Sequence, residues 1–446
     1  MSTHLFRPHR RTLSAILCPV GLALGIAGCA QGPGTEKPAA PATAVGNSAG
    51  ATSQGLAITN ARILDGRGGV IDSGTVVVRE GKIASVSAGT TDAGGALVID
   101  AGGRTVMPGF IDAHRHVMEG DGAQWLEQQA AVRMQEFLDA GFTTVLSAGD
   151  PEDAVLDLRQ RLADGTIKGP RLLAAGRAPL ARAAGGGARG GGDPARSDAS
   201  RTGVRATATA IPAEETRARI QAIAKRGFDA VKTVIIVTPG GPEKQTLSLV
   251  VEEAKKLGIP TITHAVTVQD TIAAVEARTT VLVHTPHIGH LTDEQAKMIA
   301  ASGIPMMSTL GVFVPFFDEN NTPIFRDALP FPWATLSSAG QGPVNARLLW
   351  EAGITYGYGT DTRFLPRDTL AHELKALHLV FSPKDIIQVL TRNAAITIGR
   401  QAELGTLEPG KLADLVVLEG NPLEDLHDLL NVDVVVKGGT IVVDKR

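Results

Sequence analysis

Short apolar runs alternate with longer amphipathic stretches through the middle of this 446-residue chain. The amphipathic stretches include 124–140, 213–226 and 344–352, and each is followed by a glycine of the kind that ends helices. Strands that alternate with helices form βα units and a parallel sheet. The candidate strands are 109–114, 143–147, 171–175, 230–237, 261–264, 281–284, 304–307 and 355–360. Eight such units predict an α/β fold, a TIM (β/α)8 barrel, over residues 107–400.

Segments on either side of the predicted barrel share a different pattern. Residues 55–106 contain β-branched runs such as TVVV (75–78), separated by glycine-rich turns. Similar runs return within residues 401–446, as in DLVVL (414–418). We therefore expect the two segments to pair into one small β-sandwich domain.

The first residues carry the pattern of an export signal. Three arginines precede an apolar run over 13–26 that is shorter than a membrane-spanning helix. The run leads into LGIAGC (24–29), which resembles the lipobox of bacterial lipoproteins, where the cysteine is lipidated. This resemblance implies a signal peptide over 1–29, lipidation of Cys29, and an exported protein anchored by lipid in the periplasm or at the outer membrane.

Two other interpretations of this segment stay open. An ordinary cleaved signal with an incidental cysteine would leave a periplasmic or extracellular protein without an anchor. Arg10 and Arg11 also resemble a twin-arginine signal, so the export route is undecided. Residues 30–54 are rich in glycine, proline, alanine, serine and threonine, and this composition predicts a flexible tether.

Charge and cysteine content narrow the possible partners. The net charge is -3 at pH 7 and no basic stripe is present, so nucleic acid is not expected to bind. The two cysteines, Cys18 and Cys29, both precede the predicted tether, so no intrachain disulfide is expected in the fold.

Residues 181–210 are rich in glycine, alanine and arginine and show no periodicity. They would form either a mobile lid over the active site or a loop without function.

Two strands of the predicted barrel carry polar side chains that would point inward. His114 and His116 end the first strand, and a spacing of two puts both imidazoles on the same side. Lys232 lies within the fourth strand, where alternation directs it into the barrel. Because a buried ammonium is costly, Lys232 must be paired, lowered in pKa or chemically modified.

Further polar residues end later strands. His264, His284 and Asp361 end the fifth, sixth and eighth strands, and the carboxyl ends of barrel strands converge on one cavity. Each residue alone has a structural explanation, such as a helix cap or a turn. Together they predict a metal site whose nitrogen and oxygen ligands suit zinc, with manganese, iron, cobalt or nickel as alternatives. The predicted ligands are His114, His116, Lys232, His264, His284 and Asp361.

Three motifs resemble a known family. PGFIDAHRH (108–116) resembles the first-strand signature of the amidohydrolase superfamily. TRNAA (391–395) and GTLEPGKLADLV (405–416) are similar to the imidazolonepropionase-like branch and its Xaa-Pro dipeptidase-like relatives. The resemblance extends from about residue 56 to the end of the chain. It implies a metal-dependent enzyme that acts on carbon–nitrogen bonds.

The resemblance also implies how two divalent ions would be bound. The histidine pair of the first strand and Asp361 would hold one ion, and His264 and His284 would hold the other. A carboxylated Lys232 would bridge both ions, which would turn the buried cation into an anionic ligand. Hydroxide bridging the ions would attack the substrate carbonyl, and the catalytic Asp361 would pass the water proton to the leaving nitrogen.

The expected substrate is a small peptide, an N-acyl amino acid or a cyclic amide. The open alternatives are a deaminase or a lactone or ester hydrolase on the same site, and a surface lipoprotein that binds a ligand without catalysis. The sequence does not decide which of the candidate metals binds in vivo, and it leaves both a monomer and a homo-oligomer open. Arg177 and Arg363 stand near strand ends, where they would bind a substrate carboxylate or face solvent. The remaining histidines of the region are predicted to support the ligands, pack or face solvent: His287, His290, His372 and His378.

Overall fold

The computed structural model describes residues 55–183, 208–313 and 336–446. The predicted signal peptide, Cys29, the tether and most of the 181–210 loop lie outside these residues. Across the three described segments, no helix has both the length and the apolar character needed to cross a membrane.

The strands, in chain order, are β1 (Leu56–Leu64), β2 (Val70–Arg79), β3 (Lys82–Ala88), β4 (Leu97–Asp100), β5 (Thr105–Pro108), β6 (Phe110–Arg115), β7 (Phe142–Ser147), β8 (Arg171–Arg177), β9 (Arg182–Ala183), β10 (Ala208–Thr209), β11 (Ala230–Val234), β12 (Thr261–His264), β13 (Val281–Val283), β14 (Met306–Met307), β15 (Tyr356–Gly357), β16 (Leu415–Leu418), β17 (Val432–Lys437) and β18 (Thr440–Asp444).

The α-helices are α1 (Gly122–Gln128), α2 (Ala130–Asp139), α3 (Glu152–Ala163), α4 (Ala213–Lys225), α5 (Glu243–Lys256), α6 (Val268–Glu276), α7 (Asp293–Ala301), α8 (Leu336–Glu351), α9 (Pro366–His378), α10 (Pro383–Gln388) and α11 (Ala394–Thr397). A π-helical turn, Val389–Asn393, joins α10 to α11. Short 3-10 helices lie at Gly311–Phe313 and Leu426–Leu430.

Eight parallel strands form the barrel, in the order β6-β7-β8-β11-β12-β13-β14-β15. The first strand also contacts the segment that follows the last one, because Ala113 N donates to Tyr358 O at 3.0 Å. The backbone N–H groups of Thr360 and Asp361 donate to His114 O at 3.0 and 2.7 Å. The predicted TIM barrel is confirmed. Its carboxyl-terminal end is where the first and last strands bring their polar residues together.

The small β domain is a separate sheet in the order β18-β17-β16-β5-β1-β2-β3, with β4 paired to β1. Its two halves meet where β5 pairs antiparallel with β16, in the register Pro108 to Leu415. Buried aliphatic side chains such as Ile58, Val76 and Val434 form its core. The segments before and after the barrel therefore build one domain, as the sequence predicted.

Two helices differ from their predicted bounds. The helix expected over 124–140 is two helices, α1 and α2, separated at Gln129, where φ is -127°. This break lets Trp125 of α1 and Phe137 of α2 both pack in the core, where each is at most 1% exposed. The helix expected over 344–352 begins earlier, at Leu336, because the chain continues as a helix through Pro343.

Candidate metal centre

The six predicted ligands lie at or near the carboxyl ends of barrel strands. The first histidine pair lies at the end of β6, Lys232 lies in β11, and His264 is the last residue of β12. His284 directly follows β13, and Asp361 lies in the segment after β15. The four histidines and the lysine are at most 4% exposed. The folded barrel thus brings together polar side chains that the sequence distributes over some 250 positions.

Asp361 connects three of the histidines. Its Oδ1 lies 3.2 Å from His114 Nε2 and 3.0 Å from His116 Nε2. Its Oδ2 lies 3.6 Å from His284 Nε2. The ligand atoms of His114, His284 and Asp361 all lie within 4.8 Å of one another, which is close enough for them to share an ion.

The other two predicted ligands join this cluster through a histidine each. Lys232 Nζ lies 3.1 Å from His114 Nε2. His264 Nδ1 lies 2.6 Å from His284 Nε2. The structure therefore brings all six predicted side chains together.

The chemistry of this donor set fits divalent cations. Ring nitrogens, a carboxylate oxygen and an amine converge without sulfur, which suits zinc and its neighbours in the first transition row. None of the residues in the described segments forms a hydrogen bond with the buried His114 Nδ1. His114 Nε2 faces Asp361 and Lys232, and it is the ring atom that would bind an ion.

Burial and neighbouring charges set the protonation of the cluster. Burial lowers the pKa of His114 to about 3, and a positive charge on an unmodified Lys232 acts in the same direction. Burial also opposes the charging of His116, but Asp150 and Asp361 outweigh it and raise that pKa to about 9. Burial acts to raise the pKa of Asp361, yet hydrogen bonds from His114 and His116 hold it well below its usual range. Asp361 is thus a carboxylate at neutral pH, and His114 is neutral.

The backbone at the centre has unusual conformations. His284, Thr309 and Asp361 have positive φ angles of 75°, 43° and 53°. Such conformations are strained for side chains other than glycine and cluster at functional sites. A Cβ atom on Gly359 would lie 2.9 Å from His114 Cβ, so glycine at this position allows the last strand segment to approach the first.

Two residues beside the Nδ1 atoms of the histidines were not predicted from the sequence: one makes a hydrogen bond to its histidine, and the other is a nearby carboxylate. Thr309 Oγ1 lies 2.7 Å from His284 Nδ1. Asp150 Oδ1 lies 3.8 Å from His116 Nδ1, and this carboxylate accepts hydrogen bonds from Ser147 Oγ and Val117 N. Their position was the available signal, because each follows the carboxyl end of a barrel strand, β14 and β7 respectively.

The weaker candidates have contacts of other kinds. The Arg177 guanidinium donates to Gly149 O, and Arg363 Nε donates to Met118 O at 2.6 Å. Both arginines therefore fasten loops at the carboxyl-terminal end of the barrel. His287 and His372 are buried, whereas His290 and His378 are exposed.

Comparisons with known proteins agree with this architecture. The model of the amidohydrolase family matches residues 105–442. The chain is 27% identical over 425 residues to an imidazolonepropionase from Symbiobacterium thermophilum, covering 84% of this chain and 91% of the relative. It is 26% identical over 358 residues to an ochratoxinase from Aspergillus niger, covering 72% and 71%.

A solved structure from Bifidobacterium longum with a provisional assignment as a prolidase superposes with a TM-score of 0.70. The match has 26% identity and covers 89% of this chain and 97% of that one. Enzymes of this family generally depend on metal ions and act on small molecules. The family match spans well over half of the sequence, and we conclude that the chain belongs to the amidohydrolase family and is an enzyme.

Proposed function

We propose that this enzyme is an exported metal-dependent hydrolase that cleaves the amide carbon–nitrogen bond of a small peptide, an N-acyl amino acid or a cyclic amide. The observation that carries the proposal is the convergence of four imidazoles, one carboxylate and one lysine from five strand ends. An isolated cluster of this kind would be costly to bury without a cation. The names of the relatives, imidazolonepropionase and ochratoxinase, support carbon–nitrogen bond hydrolysis.

These residues would hold two divalent ions, and their nitrogen and oxygen donors suit zinc. Ions there would supply a water molecule of lowered pKa and polarise the substrate carbonyl. The Lys232 side chain is 3% exposed and its Nζ faces His114 Nε2 at 3.1 Å. We propose that Lys232 is carboxylated: its neutral amine adds carbon dioxide and releases a proton, and the resulting carbamate is an anionic ligand in place of a buried cation.

Asp361 is the residue suited to move the proton. Its side chain is 17% exposed, whereas those of His114, His116 and His284 are at most 5% exposed. The carboxylate is therefore the part of this cluster that a water molecule and a substrate reach most easily. Since Asp361 is ionised, it accepts a proton from the attacking water and delivers it to the leaving nitrogen.

The location of the enzyme is a separate proposal. The apolar run and Cys29 lie outside the described residues, and the support for a lipid anchor in the cell envelope is the sequence pattern alone. Labelling cells that express the full chain with a radioactive fatty acid tests it. Label on the wild type and none on Cys29→Ala is the expected result, and equal label on both would contradict an anchor at Cys29.

The activity is tested with the full-length protein and a substrate panel. The panel contains Xaa-Pro dipeptides, N-acyl amino acids and cyclic amides, with lactones, esters and aminated heterocycles for comparison. We expect turnover of an amide substrate and a decrease in kcat of about 10²–10⁴-fold in Asp361→Asn, because the amide cannot accept the proton.

A matched variant controls for the loss of one carboxylate. Asp164→Asn changes an exposed aspartate in the turn after α3, where asparagine can also accept the hydrogen bond from Thr166 N. It should keep the wild-type kcat. Turnover by Asp361→Asn at the parent rate would refute the proton-transfer role. Turnover of only the lactones, esters or amines would refute the amide specificity.

A further inference from the structure

Arg115 lies between the two histidines of the first strand, yet its side chain extends away from them. It is 1% exposed, and its guanidinium carbon lies 5.2 Å from the centre of the Phe137 ring in α2. Large charged side chains are rarely buried this completely unless they are paired. Arg115 therefore needs specific acceptors, and their positions reveal its role.

The acceptors lie on both sides of Asp361. Arg115 donates to Thr360 Oγ1 and to Thr362 Oγ1, each at 3.1 Å, and to Phe364 O. A planar guanidinium can reach three acceptors in a fixed geometry, which a lysine ammonium cannot reproduce. The side chain thus holds the residue before Asp361 and the segment after it at the same time.

Asp361 needs such support because its backbone is strained. Its φ angle is 53°, and its N–H donates to His114 O at 2.7 Å. His116 N donates to Thr362 O at 3.3 Å. Strained conformations persist only when the surrounding structure holds them. The backbone of residues 114–116 and the side chain of Arg115 together hold this turn.

A buried carboxylate completes the arrangement. Asp112 Oδ2 accepts from Thr360 Oγ1 at 2.7 Å and lies 3.8 Å from the Arg115 guanidinium. Its Oδ1 accepts from His114 N at 3.1 Å. Because the links among Asp112, His114 and Arg115 and the side chain of Thr360 are buried, a change in one member leaves another polar group without its hydrogen bond. The network joins the backbone of a ligand histidine to the residue that precedes Asp361.

We propose that Arg115 is a positioning residue, which clamps the segment 360–364 so that the Asp361 carboxylate stays directed at His114, His116 and the ions they hold. The inference rests on the proposed function for its catalytic consequence, but its effect on metal binding stands independently. The required geometry is tight, because small displacements of a catalytic group cost large factors in rate.

The test compares Arg115→Lys with a matched control, Arg171→Lys. Arg171 also donates to a threonine hydroxyl, that of Thr144, and pairs with the buried carboxylate of Asp414. Neither partner is a predicted metal ligand. Each full-length protein is loaded with Co²⁺, and its visible absorption spectrum, Co²⁺ dissociation constant, kcat and KM are measured. Thermal melting reports the loss of stability in each.

In Arg115→Lys we expect an altered Co²⁺ spectrum, a roughly 10–100-fold weaker Co²⁺ affinity, and a fall in kcat with little change in KM. Arg171→Lys should lower the melting temperature and leave the other quantities unchanged. Thr362→Val removes one acceptor while keeping the shape of the side chain. Thr362→Val should shift the Co²⁺ spectrum and kcat in the same direction as Arg115→Lys. If Arg115→Lys does not fold, Thr362→Val alone tests the proposal.

The proposal is overturned if the folded variants match Arg171→Lys in spectrum, affinity and kcat. It is also overturned if the wild type takes up no Co²⁺, which would remove the metal centre as well. A wild type that hydrolyses no amide, while Arg115→Lys still changes the spectrum and the affinity, would refute the proposed function and support the positioning role.

Discussion

Thr309 illustrates how single residues outside the ligand set influence it. His284 Nε2 faces Asp361 and His264, and its Nδ1 lies 2.7 Å from Thr309 Oγ1. If Nε2 binds an ion as proposed, Nδ1 carries the ring proton and donates it to Thr309 Oγ1. This hydrogen bond fixes both the tautomer and the orientation of the imidazole. Residues that orient metal-bound histidines commonly change metal affinity by 10–100-fold when they are removed.

We predict that Thr309→Val weakens Zn²⁺ binding by about 10–100-fold, since valine keeps the shape and removes the hydroxyl. Competition with a chromogenic chelator measures the dissociation constant. Thr391→Val is the control, because that buried hydroxyl donates to Ile387 O within a helix and lies on no ligand-bearing segment. Equal Zn²⁺ affinity in wild type and Thr309→Val would show that the hydroxyl does not orient His284.

The residues that could be predicted and those that could not differ in a physical way. His264 and Asp361 are metal-binding types at strand ends, and a parallel barrel brings all such ends to one side. Thr309 and Arg115 act through hydrogen bonds to segments 25 or more positions away along the chain. Those contacts depend on side-chain directions in the folded structure, and a threonine or arginine in the sequence gives no sign of them.

At the scale of elements, α9 supports the loop that carries Thr309. Glu373 of α9 accepts hydrogen bonds from Ser308 Oγ, Leu310 N and Gly311 N. It is 2% exposed, and burial raises its pKa from 4.5 to about 7 in spite of these bonds. The folded protein therefore binds a proton at Glu373 at pH values where the unfolded chain has lost it.

This pKa predicts a pH dependence of stability. Because the folded state holds more protons between pH 4.5 and 7, the free energy of unfolding falls as the pH rises through that range, by about 3 kcal/mol from this group. Glu373→Gln removes this titrating group. The free energy of unfolding of the variant should therefore fall by about 3 kcal/mol less than that of the wild type between pH 4.5 and 8. Denaturant unfolding at both pH values measures it.

A control variant separates the effect of losing a buried carboxylate from that of losing any carboxylate. Glu351→Gln removes a half-exposed carboxylate that pairs with Arg347 in α8, and it should keep the wild-type pH dependence. If Glu373→Gln and the wild type lost the same free energy of unfolding between the two pH values, the raised pKa of Glu373 would be wrong.

Some bounds of strands and helices could be predicted from the sequence and others could not. The strand predicted over 261–264 has the observed bounds of β12, whereas the one predicted over 355–360 is regular only at Tyr356–Gly357. Beyond Gly357 the chain leaves the regular ladder to bond with β6 and reaches the strained Asp361. The π-helical turn Val389–Asn393 was not predicted, because its hydrogen bonds reflect packing against the barrel and not a local preference.

At the scale of the whole molecule, the barrel and the small β domain were predictable because their strand patterns differ. The barrel strands are short and alternate with amphipathic helices, whereas the strands of the small β domain are rich in β-branched residues and separated by glycine turns. The pairing of β5 with β16 was not predictable in register, because it joins residues some 300 positions apart. Arg171, whose guanidinium pairs with Asp414 at 2.7 Å, ties the barrel to the segment that enters the small sheet.

In the proposed centre, ligands from across the whole barrel hold two divalent ions. The most direct test is the metal content of the full-length protein, saturated with Zn²⁺, freed of excess metal and measured by mass spectrometry beside His264→Ala. We predict about two equivalents per chain for the wild type and a clear loss in the variant. One equivalent or none in the wild type would contradict the two-ion centre.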